Sequence, residues 1–211
     1  MAYTDIDDPS AHFQVKKWTG NAGTNAITLD GNSNMQPDFM WHKEQNDTNG
    51  WHQFDSNRGV TKYLATNNAN AEATFSGYLS SFDSNGFTAG SGDSSMNSSS
   101  TAQCSWMWHC NSGTTSSNSD GSVTSTVQAN TTAGFSIVTY SSDNSSAETI
   151  GHGLGAVPKV LIVKRLNSNN RDWAVYHESI GNTKYLQLNE SDAEIDNAAY
   201  WNDTTPTSSL T

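Results

Sequence analysis

The sequence predicts an all-β protein made of two related antiparallel β-sandwich modules, the second incomplete within the 211 residues. Three observations predict it: the composition, the spacing of turn residues, and an internal repeat. Only 34% of residues are hydrophobic and 15% charged, and Ser, Thr, Asn and Gly make up much of the remainder. A helical bundle needs more Ala, Leu, Glu and Lys, and a disordered chain carries high charge and few aromatics. What remains is a sheet protein with polar turns. The turns are visible as Asp47-Thr-Asn-Gly50, Asp83-Ser-Asn-Gly86 and Ser119-Asp-Gly121. Asn and Asp tolerate the left-handed backbone and Gly adopts it freely, as tight connections between strands require.

The repeat has an offset close to 122 residues. Phe13-Gln-Val-Lys-Lys-Trp-Thr-Gly20 answers to Phe135-Ser-Ile-Val-Thr-Tyr140, and Pro37-Asp-Phe-Met-Trp-His-Lys43 to Pro158-Lys-Val-Leu-Ile-Val-Lys164. Trp51-His-Gln-Phe54 answers to Trp173-Ala-Val-Tyr176, and Thr61-Lys-Tyr-Leu64 recurs unchanged as Thr183-Lys-Tyr-Leu186. Four ordered matches at one offset indicate duplication. Val160–Val163, a continuous apolar run, reads as a central strand covered on both faces. In Tyr185–Asn189 the alternation predicts Leu186 and Leu188 inward and Gln187 outward. Ser191-Asp-Ala-Glu194 has capping-box spacing and predicts one short helix. Ser122–Gln128 predicts a strand with Val123 and Val127 on one face. The expected organisation is a first module over 1–115, a connecting strand over 116–134 and a second module over 135–211.

The two copies end differently. In the first, Ser81–Thr88 leads through a Ser-rich loop to Cys104-Ser-Trp-Met-Trp-His-Cys110, which reads as a strand. In the second the matching stretch is Thr205–Thr211, so no counterpart of Trp106 and Trp108 follows. Loss of that internal strand exposes an edge of unpaired amides and an apolar face. The expected cover is either the polypeptide continuing past Thr211 or a neighbouring chain. Cys104 and Cys110 lie about 20 Å apart along a strand, too far for a disulfide. They read as buried, inert thiols facing the same way as Trp106 and Trp108, and their spacing does not suit zinc.

A formal charge of -11, with ten scattered basic residues, argues against nucleic acid and anionic membrane surfaces as partners. No apolar run is long enough to cross a bilayer. Met1–Pro9 is acidic and polar and lacks the pattern of a secretory leader, so assembly in the cytoplasm is expected.

Several stretches carry a family resemblance. Asp7-Asp-Pro-Ser-Ala-His-Phe13, Asp120–Asn130, Ala133–Tyr140, Gly151-His-Gly-Leu-Gly155 before Pro158, and Tyr200-Trp-Asn-Asp203 resemble repeats in virion proteins of marine tailed phages, especially cyanophages. Those proteins are tail-fibre-like and resemble concanavalin A-like lectin and SPRY jelly-roll sandwiches. The resemblance is weaker in the first half, where Leu29-Asp-Gly-Asn-Ser-Asn34 stands in place of the Gly-His-Gly-Leu-Gly stretch. It implies a structural, non-enzymatic protein on the surface of a virion assembled in host cytoplasm: a tail-fibre or appendage component contacting host glycans. A capsid decoration protein of the same fold is the alternative, and a glycan depolymerase ranks third. The implied partners are other tail or capsid proteins, copies of the chain itself and host-surface polysaccharide.

For chemistry, no catalytic residue, metal site or cofactor is assigned. His152, between glycines, has no nucleophile elbow nearby and reads as a turn residue. His177-Glu178 is answered in the first copy by Asp55-Ser56, one acidic position per copy, whereas glycoside hydrolysis needs two facing carboxylates. The acidic turns at Asp30, Asp47, Asp83 and Asp120 lack calcium-loop spacing. Trp51 and its repeat Trp173 read as core. Trp201, its approximate counterpart Tyr78, and Trp18 are the residues proposed to contact a ligand, because aromatic rings beside polar loops suit sugar stacking.

Overall fold

The computed structural model describes residues 6–92, 94–143 and 147–211. It is an all-β sandwich fold whose strand pairs are antiparallel. The chain divides into two compact units, Met1–Ala65 with Ala73–Thr114, and Thr66–Glu72 with Thr115–Thr211.

In the first unit, a 3-10 turn at Pro9–Ala11 is capped by Asp8, whose carboxylate accepts the Ser10 N–H. The strands are β1 (Phe13–Thr19), β2 (Asn25–Thr28), β3 (Phe39–Glu44), β4 (His52–Asp55), β5 (Lys62–Ala65), β6 (Ala73–Thr74), β7 (Leu79–Asp83), β8 (Gly86–Ala89) and β9 (Ala102–Trp108). A single helical turn, α1 (Ser94–Asn97), precedes β9. One sheet runs β1-β9-β3-β4-β5-β6 and the other β2-β8-β7. Between them lies the core, with Met40, Phe54 and Met107 from the larger sheet meeting Ile27, Leu79, Phe87 and Ala89 from the smaller. Period-two patterning puts these residues there: β3 alternates half-buried and buried along its length. The expected turn at Asp83–Gly86 joins β7 to β8. Gly86 sits at φ 131°, and a Cβ there would lie 2.0 Å from the Ile27 carbonyl oxygen, so only glycine fits.

The last strand in sequence lies inside the larger sheet. Trp108 opposes Phe13 on one side and Phe39 on the other; Trp106 opposes Val15 and Trp41. Both cysteines are buried, and Cys104, Trp106 and Trp108 share a face as expected. The expected strand to Cys110 stops at Trp108. Beyond it, the N–H groups of Cys110, Ser112 and Gly113 turn onto the carboxylate of Asp38 at 2.7, 3.0 and 2.8 Å, which ends the extended backbone.

The second unit contains β10 (Ser116–Asn118), β11 (Ser125–Asn130), β12 (Phe135–Tyr140), β13 (Val160–Val163), β14 (Ala174–His177), β15 (Lys184–Gln187) and β16 (Ile195–Asp196). β10-β11-β12 form one sheet and β13-β14-β15-β16 another. The second sheet reproduces β3-β4-β5-β6 in order. A bridge between Gly151 and Leu210 stands where β2 pairs with β8 in the first unit. Val123 and Val127 are buried together, as their spacing predicts.

Three expectations are corrected here. Val160–Val163 is an edge strand, with Val160 and Ile162 each 47% exposed, because among the described residues no strand pairs on its far side. Gln187 shares a face with the buried Ala174, and Leu186 lies on the opposite face beside Val175. The side-chain amide of Gln187 is satisfied by donating to Asp172 at 2.7 Å. Ser191–Glu194 is not helical, since no apolar stripe follows the cap and Ile195 instead pairs with Tyr185.

The repeat supplies an internal control on packing. Met40 is fully buried, whereas its counterpart Leu161 is half-buried. Met40→Ala is expected to cost about 2–5 kcal/mol and Leu161→Ala only about 1 kcal/mol in denaturant unfolding. Equal costs would mean that the second sheet is as well covered as the first.

Candidate functional site

The candidate site grows from four rings on one face of the second unit. Tyr176 on β14 and Tyr185 on β15 point to the same side of their sheet. The chain then returns through Asn197–Thr204 in a compact turn. Tyr200 N–H donates to the Asn197 carbonyl at 3.0 Å and Asp203 N–H to that of Ala198 at 2.8 Å. Asn202 and Asp203 adopt φ 51° and 47°. Asn and Asp enter this left-handed region at low cost, which explains the Tyr-Trp-Asn-Asp order. The turn drives Trp201 inward and leaves Tyr200 outward. The Trp201 indole N–H donates to the Lys184 carbonyl at 3.0 Å, and its ring meets Tyr176 edge-on at 5.8 Å. Tyr200 stacks on Tyr185, with centroids 3.9 Å apart and planes 18° apart, and is 43% exposed.

Polar groups rim this platform. Asp172 accepts from the amides of Gln187 and Asn189 at 2.7 and 2.9 Å. Lys184 forms an ion pair with Glu194, which raises the pKa of the lysine. Desolvation, then the neighbouring Tyr185 and Asp172, push the Tyr200 phenol up, so it stays a neutral donor at ordinary pH. An exposed ring such as Tyr200, backed by a second ring and set beside carboxylates and amides, can stack a sugar and hydrogen-bond its hydroxyls.

Of the three ligand-contacting residues expected from the sequence, only Trp201 belongs to this platform, and it acts from beneath. Tyr78 is a correction: it is 9% exposed and packed among Tyr63, Phe75, Phe54 and His52 in the first core. It does occupy the place corresponding to Trp201, but under a complete second layer. Trp18 is also turned to the core, edge-on to Phe87 at 5.2 Å and 5.3 Å from the His42 ring. Tyr185 and Tyr200 were missed by sequence reasoning. Their pairing across 15 positions had no local signal beyond the aromatic before Trp201.

The remaining titratable groups are built into the fold. Asp55 is held by Arg58 at 2.7 Å, with both side chains nearly inaccessible. Glu178 pairs with Lys159 on the surface. His152 is buried, with its ring nitrogens at Thr207 O and Leu154 N. His42 and Ser105 stand 3.1 Å apart, a distance that a nucleophile and base would share. Both are fully buried, and burial first, then nearby His52, pushes the His42 pKa to about 3. Asp38 is a buried carboxylate. Burial would raise its pKa, but bonds from His109, Cys110, Ser56 and Gln36 outweigh it and hold the carboxyl below the usual range. The same contact raises the pKa of His109.

The chain belongs to a family described as a domain of unknown function, DUF7483, whose model matches residues 8–211. No curated protein and no solved structure matches it.

Two histidines should give the first unit opposite pH responses. His42 stays neutral when folded but binds a proton when unfolded below about pH 6.5, so acidification towards pH 3 removes up to about 1.4 kcal/mol per pH unit. His109 has a raised folded pKa, so its contribution is complete below about pH 6.5 and is lost as pH rises through the higher folded value. Stability measured by denaturant from pH 4.5 to 8 should therefore lose its acid slope in His42→Gln and its alkaline slope in His109→Gln.

Proposed function

We propose that this chain is a structural, non-enzymatic module displayed on the surface of a tailed-phage particle, as part of a tail fibre or related appendage that contacts host glycans. The observation that carries this reading is the exposed Tyr200 ring stacked on the half-buried Tyr185, with its carboxylate and amide rim. The equivalent cluster in the first unit is closed, so the second unit is the binding module and the first a rigid support. The resemblance of Tyr200-Trp-Asn-Asp203 and Gly151–Gly155 to phage virion repeats supports the particle setting.

Single contacts of this kind are weak, and display in many copies on a particle makes them effective. Binding of the purified protein to surface polysaccharide from candidate host strains tests the reading. Tyr200→Ala is expected to weaken binding about tenfold while leaving unfolding unchanged. Absence of binding to every strain, or a Tyr200→Ala variant that binds as well as the parent, overturns it. Immunogold labelling should mark tail tips; labelling of the shell would overturn the appendage assignment.

A further inference from the structure

Asparagine followed by glycine is the dipeptide best suited to ring closure, because glycine's free backbone lets the following nitrogen reach the asparagine side chain. The sequence has two such pairs, Asn49-Gly50 and Asn85-Gly86. The fold of the first unit treats them differently. The Asn85 side-chain oxygen accepts the Met35 N–H, and its amide donates to the Leu29 carbonyl, both at 3.3 Å. The Asn85 main-chain carbonyl accepts the Leu29 N–H at 3.2 Å. Gly86 is buried in β8, opposite Thr28 and Asp83. Turning the Asn85 side chain onto the Gly86 nitrogen breaks both side-chain bonds and disturbs the strand pairing.

Asn49-Gly50 lies outside the strands, in the connection from β3 to β4, and both residues are half-buried. Among the described residues the Gly50 N–H has no hydrogen-bond partner. One side-chain bond holds Asn49: its amide donates to the Glu44 carboxylate at 2.7 Å. Glu44 ends β3 and is only 2% exposed, so its charge depends on that donor. The second copy has no equivalent. Arg165 stands in place of Glu44, and the loop Asn167-Ser-Asn-Asn-Arg171 contains no glycine.

We infer that Asn49 is a deamidation site whose conversion loosens the end of β3. The Gly50 nitrogen gives up its proton to solvent and attacks the side-chain carbonyl carbon of Asn49. A new C–N bond forms, the bond to the amide nitrogen breaks, and that nitrogen leaves as ammonia. Water then opens the cyclic imide at either carbonyl, leaving aspartate or isoaspartate; water is the only co-reactant. The product sets a carboxylate where Glu44 had a donor. A hydrogen bond becomes a like-charge contact at a group with almost no access to solvent, which is destabilising. The site stands independently of the glycan reading, since Tyr200 lies in the other unit.

The full chain is incubated at mildly alkaline pH, and fragment mass spectrometry locates each exchange of amide for acid. Asn49 should convert about tenfold or more faster than Asn85 in the folded chain, whereas in urea the two should convert at similar rates. Equal rates in the folded chain, or an Asn49 that converts only in urea, overturn the site. The consequence is read from variants. Asn49→Asp should unfold at a lower denaturant midpoint than the parent near neutral pH, and most of that shift should vanish when Glu44→Gln is combined with it. If Asn49→Asp alone does not fold, recovery of folding in the double variant gives the same answer. An Asn49→Asp variant as stable as the parent, or a loss that Glu44→Gln leaves unchanged, overturns the coupling to β3.

Discussion

Everything in the first unit depends on the placement of β9. Seven residues from the end of the module lie between two strands from its beginning, and their backbone groups satisfy β1 on one side and β3 on the other. Met107 closes the core from within, while Trp106 and Trp108 cover the outer face against Trp51, Phe13 and Phe39. The strand is locked at its end by Asp38. This carboxylate has no exposed surface, and it collects the N–H groups of the segment that follows β9 together with Ser56 Oγ at 2.9 Å. A buried charge is tolerated only with such a set of donors, and the donors come from three separate stretches of chain.

In the second unit no strand among the described residues takes the place of β9. Lys159 stands where Asp38 would be and pairs with Glu178 on the surface. The sheet retains its order and its hydrogen-bonding phase, but its first strand becomes an edge and its inner residues are half-covered. The aromatic cluster survives in altered form. Phe54, Tyr63 and Tyr78 form a closed core, whereas Tyr176, Tyr185 and Trp201 support an exposed Tyr200. One structural plan thus gives a closed cluster in one unit and a partly exposed one in the other.

Much of this organisation was legible in the residues. The repeat located β3, β4 and β5 and their counterparts, and the valines at 123 and 127 declared a buried strand face. The candidate site was only partly legible. Trp201 could be singled out beside its polar loop, but Tyr78 and Trp18 have similar surroundings in sequence and turned out to be core. Local sequence does not reveal which layer will cover a ring. The face of Leu186 was misread for a related reason: a short strand with amphipathic residues on both sides takes its phase from the strand it pairs with, here β14, and not from its own alternation.

By itself the sequence determined the fold class and the duplication, because period-two patterning, turn chemistry and self-similarity are local properties. Only the tertiary structure decided that β9 is an internal strand, that His42 is buried as a neutral ring and Asp38 as a carboxylate, both with lowered pKa, and that an exposed Tyr200 stacks on Tyr185. Each of these depends on contacts between residues far apart in the chain, and burial and hydrogen-bond partners exist only once those contacts are made.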